Sequence, residues 1–305
     1  MSPISTLLQS GTRGRVPVPP ASGGGSATNF DFFTDFSAGL TPQSETGRET
    51  EPPIPSGVVS WQGAGSDRYV QSDFKPPTAD QALLFVFPAT PDPSTDSNVE
   101  QNLLLGRMIG GANRHFGLSF DFLVDSNFTL RDPGNPTKLF QFWEQFYSNT
   151  CTCGITLRAE GDGSCIVQPF ITGSHPNGGS PFYGLGQANP KVFPSVYGER
   201  FIAPLSTARG AVLPGTSANI KYLTKFSSSA TATDGWVKLW VDDVLFMEAG
   251  PQNIWSFDVA GPNPPVREPK IGRGYLMGYS NSGYLQQTRF AWSRVRIVDF
   301  NPGWT

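Results

Sequence analysis

DGWVKLWVDDVLFMEAG, Asp234 to Gly250, is the stretch that decides the fold class. Val237, Leu239 and Val241 alternate with Trp236, Lys238, Trp240 and Asp242. A period of two sends successive side chains to opposite faces, which marks a β-strand with one face in a core. Asp242-Asp243 is a tight-turn pair, and Val244-Leu245-Phe246 returns as the partner strand. Further on, GRGYLMGYSNSGYLQQTRFAWSRVRIVDF carries two more strand patterns, around Gly274–Ser280 and Thr288–Phe300. The expectation is an antiparallel, all-β sandwich.

Upstream of this hairpin the same pattern recurs. QALLFVFP (81–88) reads as a buried strand, and HFGLSFDFLV (115–124), KLFQFWEQF (138–146), GITLRAE (154–160), CIVQPFI (165–171) and NIKYLTKFS (219–227) read as others. Residues 91–101 read as a loop. Residues 175–215 are rich in Gly, Pro and Asn, and a connection that long is usually functional or an interaction surface. Residues 1–28, with GTRGRVPVPPASGGGSAT, have no apolar periodicity and read as an extended N-terminal arm ahead of a sandwich domain over 29–305. Ordering such an arm costs roughly 1–2 kcal/mol per residue, so a partner outside the domain is expected to hold it.

Composition agrees. Among 305 residues, Gly (34) and Pro (28) make about a fifth of the chain, and Phe (23) is abundant. So much punctuation disfavours long helices and suits short strands with loops. Charged residues are 15% of the chain, below the roughly 25% of an average protein. The net charge of −3 offers no basic field, so nucleic acid is not an expected partner. No run approaches the ~18 apolar residues of a membrane helix, and no membrane insertion is expected. MSPISTLLQSGTRGR has no basic leader ahead of an apolar stretch, so the expectation is synthesis in a cytoplasm.

Three cysteines cluster in sequence: Cys151, Cys153 and Cys165. They read as free thiols, as one disulfide with a thiol left over, or as metal ligands with His175.

The order of strands resembles the concanavalin A-like jelly rolls, in particular their polysaccharide-lyase-like and laminin-G-like branches. The residues that carry the likeness are FDFFTDF (30–36), Phe120-Asp121-Phe122 with Lys138-Leu139-Phe140, the hairpin Asp234–Asp242, and Gly274–Gly278 followed by 290–298. The likeness spans roughly residues 29–300. It implies two curved antiparallel sheets and, in many members, a sheet face that receives a glycan.

The chemistry such relatives use is hard to place in this chain. Glucanases of this fold present a Glu-x-Asp-x-x-Glu strand, the paired carboxylates of glycoside hydrolysis. The nearest match is Glu160-Gly-Asp162, with Cys165 where the second Glu would stand. A lyase needs a base, often Tyr or His, and a group to neutralise the uronate. His115, which follows Arg114, and Arg158 with a tyrosine are the residues that could supply them. There is no P-loop and no Gly-x-Gly-x-x-Gly before a helix. Trp236 and Trp240 share one strand face with Lys238 between them, an arrangement that can hold sugar rings or simply pack under a loop. Asp35 and Asp299 are the candidates for a shared Ca²⁺ of the kind the laminin-G-like resemblance implies.

Together these features lead to an expected structural protein of a virion, a decoration, tail or adhesin module of a tailed bacteriophage. Residues 1–28 would anchor it to other virion proteins or symmetry copies. The jelly roll would be displayed, with carbohydrate binding through Trp236, Lys238, Trp240, Arg158 and His115 as a candidate property. The alternative is a polysaccharide lyase or glycoside hydrolase of the same fold.

Overall fold

A computed structural model describes residues 29–40, 42–43, 59–62, 67–90, 97–112, 114–130, 137–143, 152–159, 165–172, 211–252, 254, 256–257, 266–277, 279–280 and 283–304. The arm, residues 1–28, lies outside the described residues, as do Cys151, Glu160, Asp162, His175 and most of the 175–215 segment. Among the described residues there is no helix.

Fourteen strands are four residues or longer. In chain order they are β1 (Asp31–Thr34), β2 (Val59–Gln62), β3 (Arg68–Gln71), β4 (Ala82–Phe87) and β5 (Gln101–Gly110). Then come β6 (His115–Val124), β7 (Thr137–Trp143), β8 (Thr152–Ala159), β9 (Cys165–Thr172) and β10 (Ser217–Lys225). The last are β11 (Gly235–Val241), β12 (Val244–Gln252), β13 (Lys270–Leu276) and β14 (Thr288–Val298).

They form two sheets. The eight-stranded sheet runs β12-β11-β10-β6-β14-β4-β3, with β1 also paired to β14. The ten-stranded sheet has β9-β8-β7-β13-β5-β2 as its long strands. All pairings are antiparallel except that of Pro42–Gln43 with β2. The decisive hairpin forms as read: β11 and β12 join through Asp242 and Asp243, whose φ values of 51° and 63° give the primed turn that matches the strand twist.

The core is where alternate residues of the two sheets meet. Phe116 of β6 meets Phe142 of β7 at a 5.0 Å centroid distance, and Phe140 meets Tyr222 of β10 edge-on at 5.4 Å. Within the eight-stranded sheet Phe120 stacks on Trp292 at 3.7 Å. Each such aromatic removes a large apolar area from water, and stacked or edge-on pairs add about 0.5–1.5 kcal/mol beyond burial.

One reading is corrected. QNLLLGRMIG, passed over after the 91–101 loop, is the ten-residue β5 and lies inside the ten-stranded sheet between β13 and β2. Its Leu103-Leu104-Leu105 run does not alternate, because it is shielded on both faces. Cys153 and Cys165 are not opposite one another. Cys153 pairs with Ile171 and Cys165 with Ala159, at the two ends of the β8–β9 ladder. Cys153 is a buried free thiol.

Candidate functional site

The residues singled out in the sequence divide between the two sheets. His115, Trp236, Lys238 and Trp240 lie on the eight-stranded sheet, on the face turned away from the core. Arg158 is on β8 in the other sheet, opposite Ile166, and its side chain lies outside the described residues. The sandwich therefore holds Arg158 and His115 in separate sheets.

On β11 the two tryptophans fare differently. Trp240 is 4% exposed, because Trp304 of the C-terminal segment packs edge-on against it at 6.4 Å. Trp236 keeps partial exposure, but the Lys238 ammonium stands 5.2 Å from its ring centre and the His115 ring 5.6 Å away. Lys238 also pairs with Glu248 of β12 at 3.4 Å. His115 stays neutral to below its ordinary range: burial disfavours its charged form, and Lys225 and Arg114 add repulsion.

Asp35 and Asp299 stand at opposite ends of the β1–β14 ladder, whose pairs run from Asp31↔Val298 to Thr34↔Val295. At ~3.3 Å per residue this separates them by well over 10 Å, too far to share one ion. Asp299 instead accepts from the Phe30 amide at 2.7 Å, and Asp35 accepts from the Ser37 amide at 2.9 Å. Among the described residues no group of three His, Cys, Asp or Glu side chains could hold a metal.

The polar constellation that sequence reasoning missed lies on the ten-stranded sheet. Registers across β8, β7, β13, β5 and β2 put Gly154, Gln141, Tyr275, Asn102 and Gln62 in one row, perpendicular to the strands. The Tyr275 hydroxyl donates to Gln141 Oε1 at 2.7 Å. Asn102 donates to Glu100 Oε1 at 3.3 Å. Arg273 lies two residues before Tyr275 on β13. Both fall on the alternation opposite to Leu276, a core residue, and both are covered, at 3% and 5% exposure. Gln141 and Asn102 remain partly exposed.

This row has a definite chemistry. With Oε1 taken by Tyr275, Gln141 keeps both amide hydrogens for a ligand oxygen. Gly154 contributes no side chain beside it, so the surface next to Gln141 is low. An amide donor, a guanidinium and a phenol on one face can bind a carboxylate and move a proton near it. Sequence reading could have found the row only through strand register. Gln141 sits in FQFW, where apolar neighbours make it look incidental, and Tyr275 sits between Gly274 and Leu276.

No protein-family model matches the sequence, and no curated protein matches it. Solved structures share the fold. An endo-β-1,4-glucuronan lyase from the fungus Trichoderma reesei is 15% identical, with 88% of this chain and 94% of that chain covered, at a TM-score of 0.50. A PL-14 alginate lyase from Aplysia kurodai is 10% identical over 76% of this chain and 87% of that one, at a TM-score of 0.47. Peanut lectin is 12% identical over 90% and 98%, at a TM-score of 0.37. The chain has the concanavalin A-like jelly-roll fold.

Proposed function

We propose that this protein is a polysaccharide lyase acting on a uronate-containing chain, with its site on the Gln141–Tyr275–Asn102 row. The observation that carries the proposal is the hydrogen bond from Tyr275 to Gln141, set in that row with Arg273 on the same strand. The activity of the Trichoderma reesei glucuronan lyase directs the choice of substrate, a β-1,4-linked glucuronan.

In β-elimination the C5–H bond of the uronate breaks and its electron pair is first delocalised onto the carboxyl group. As that pair forms the C4–C5 double bond, the C4–O bond breaks with its electrons on the leaving oxygen, which takes a proton. The C5 proton becomes acidic enough only if the adjacent carboxylate is neutralised. The Gln141 amide and the Arg273 guanidinium are suited to that task, since fixed donors in a partly water-excluded site act more strongly than in water. Tyr275 is the group able to take or give a proton there, and its bond to Gln141 fixes its direction. General acid–base help of this kind is worth about 10²–10⁴-fold in rate.

The test incubates the protein with glucuronan and with alginate and follows absorbance near 235 nm for unsaturated ends. A rise that Tyr275→Phe lowers about 10²-fold or more, with the unfolding midpoint preserved, supports the reading. No rise on either polymer, or a rise indifferent to Tyr275→Phe and Gln141→Ala, overturns it. The structural virion reading rests on residues 1–28, which lie outside the described residues. An inactive protein whose incorporation into a particle needs those residues would favour it.

A further inference from the structure

The face of the eight-stranded sheet turned away from the core has a built depression that the lyase proposal does not use. Reading along β6 shows how it arises. At one end Leu123 packs with Leu84, Ala291 and Phe74 in a small apolar cluster. At the other end Gly117 lies under Trp304, Val298 and Leu223. Between these two covers, Ser119 and Asp121 line an open hollow of about 730 Å³.

The hollow forms where β14 changes partners. Its residues Thr288–Trp292 pair with β4, and Val295–Val298 pair with β1. Between them the register against β6 slips at Ser293–Arg296, and Arg294 adopts φ 51°. A bulge re-aims a side chain, and a left-handed conformation in a non-glycine residue is held only where surrounding structure imposes it. Here the bulge turns Arg294 outward over Asp121, with its side chain 52% exposed.

Asp121 is the floor. It is 6% exposed, and it accepts from Thr78 at 2.6 Å, Asn219 at 2.7 Å and Arg294 at 3.5 Å. Two buried oxygens beside it, Asn219 Oδ1 and Ser293 Oγ, have no hydrogen-bond partner. At the rim Phe33 is 56% exposed, a large aromatic left in water.

The charge pattern selects the ligand. Asp31, Asp121 and Asp243 are matched by Lys221, Arg294 and Arg296 around the same hollow. Asp31 and Arg296 form a two-point pair at 2.8 and 2.7 Å, and Lys221 pairs with Asp243. A polyanion would find no net positive field here. A polyhydroxylated neutral molecule would find what it needs: carboxylates to accept from its hydroxyls, guanidinium and ammonium groups to donate to them, and an aromatic face for its C–H groups.

We propose that this hollow, from Asp121 and Arg294 to Phe33, is a neutral-saccharide binding site separate from the Gln141–Tyr275 row. It would hold the protein on a neutral glycan while the other sheet works on an acidic one. The two proposals occupy opposite faces of the sandwich, so they stand or fall independently.

The test is affinity electrophoresis of the whole chain in native gels containing soluble neutral β-glucan, mannan or galactan, with glucuronan and alginate in parallel. The expected result is retardation by at least one neutral polymer. It should be weakened about tenfold by Phe33→Ala and by Arg294→Gly, a residue at ease with the local φ, and unchanged by Tyr275→Phe. Phe33 is exposed, so its variant keeps the fold. Overturning results are no retardation by any neutral polymer, retardation only by the two acidic ones, or retardation indifferent to both Phe33 and Arg294.

Discussion

The two outward faces of the sandwich handle polar groups in opposite ways. On the eight-stranded sheet, charges are matched in opposite pairs, Asp31 with Arg296 and Lys221 with Asp243, and both ends of the face are covered by aromatics. On the ten-stranded sheet the central row is amide, phenol and amide, with a covered arginine beside it. Paired charges cancel at a distance and leave directional hydrogen bonds. Uncharged amides beside a guanidinium are the groups on which the uronate proposal draws. One fold thus presents two outward polar faces built from different groups, and register and bulges bring those groups together.

The comparison can be broken first at two glycines. Gly274 lies between Arg273 and Tyr275, and a Cβ there would meet the Gln141 carbonyl oxygen and the Phe142 ring at 2.6 Å. Backbone and a core ring cannot retreat, so Gly274→Val should cost about 3 kcal/mol and disturb Gln141 directly. A Cβ on Gly117 would meet the Val298, Leu223 and Trp304 side chains at 2.8–3.2 Å. These are side-chain atoms rather than backbone, so Gly117→Val should cost less, about 2 kcal/mol. Urea midpoints of the two variants measure both. Equal costs would mean that the C-terminal cover is as rigid as the core.

An effect below that of Gly274→Val is expected at the floor of the neutral hollow. Asp121→Ala removes the acceptor shared by Thr78, Asn219 and Arg294. It should destabilise by about 2 kcal/mol, the cost of leaving buried donors unpaired. Asp121→Asn keeps one acceptor and should cost less. If both variants unfold at the wild-type midpoint, water already satisfies these donors and Asp121 is not a structural floor.

Much of the fold was legible because alternation is a local signal. β6 was read to the residue, HFGLSFDFLV, and the Asp242-Asp243 turn followed from residue type alone. β5 escaped because its three leucines do not alternate. The site was legible only in part. Trp236 and Lys238 were placed on one face correctly, but no local pattern could show that Trp304, sixty-odd residues later, would cover Trp240. Gln141 and Tyr275 are more than a hundred residues apart, and only the β7–β13 register joins them. Strand order and register depend on the whole sheet, and a sequence window does not contain them.

The smallest effect concerns pH and separates the rim of the eight-stranded sheet from everything else. Burial, with help from Lys225 and Arg114, holds His115 below its ordinary value of 6.5. The unfolded chain therefore takes up this proton first as pH falls. Above about pH 6.5 the group is neutral in both states and contributes nothing. Below that, stability falls until the folded-state value is also passed. Asp31 and Asp234 are also held below their ordinary value of 3.8, by Arg296 and by the Ser228 amide respectively, so their loss of stability comes only in stronger acid. Between pH 7.5 and 5 the wild type should lose a component of stability that His115→Gln lacks. Urea midpoints at the two pH values in both proteins measure it. The difference also cancels His175, which both proteins carry. An identical pH dependence would mean that His115 is solvated enough to accept its proton freely, and that the Trp236 end of the face is more open than its packing against Lys238 implies.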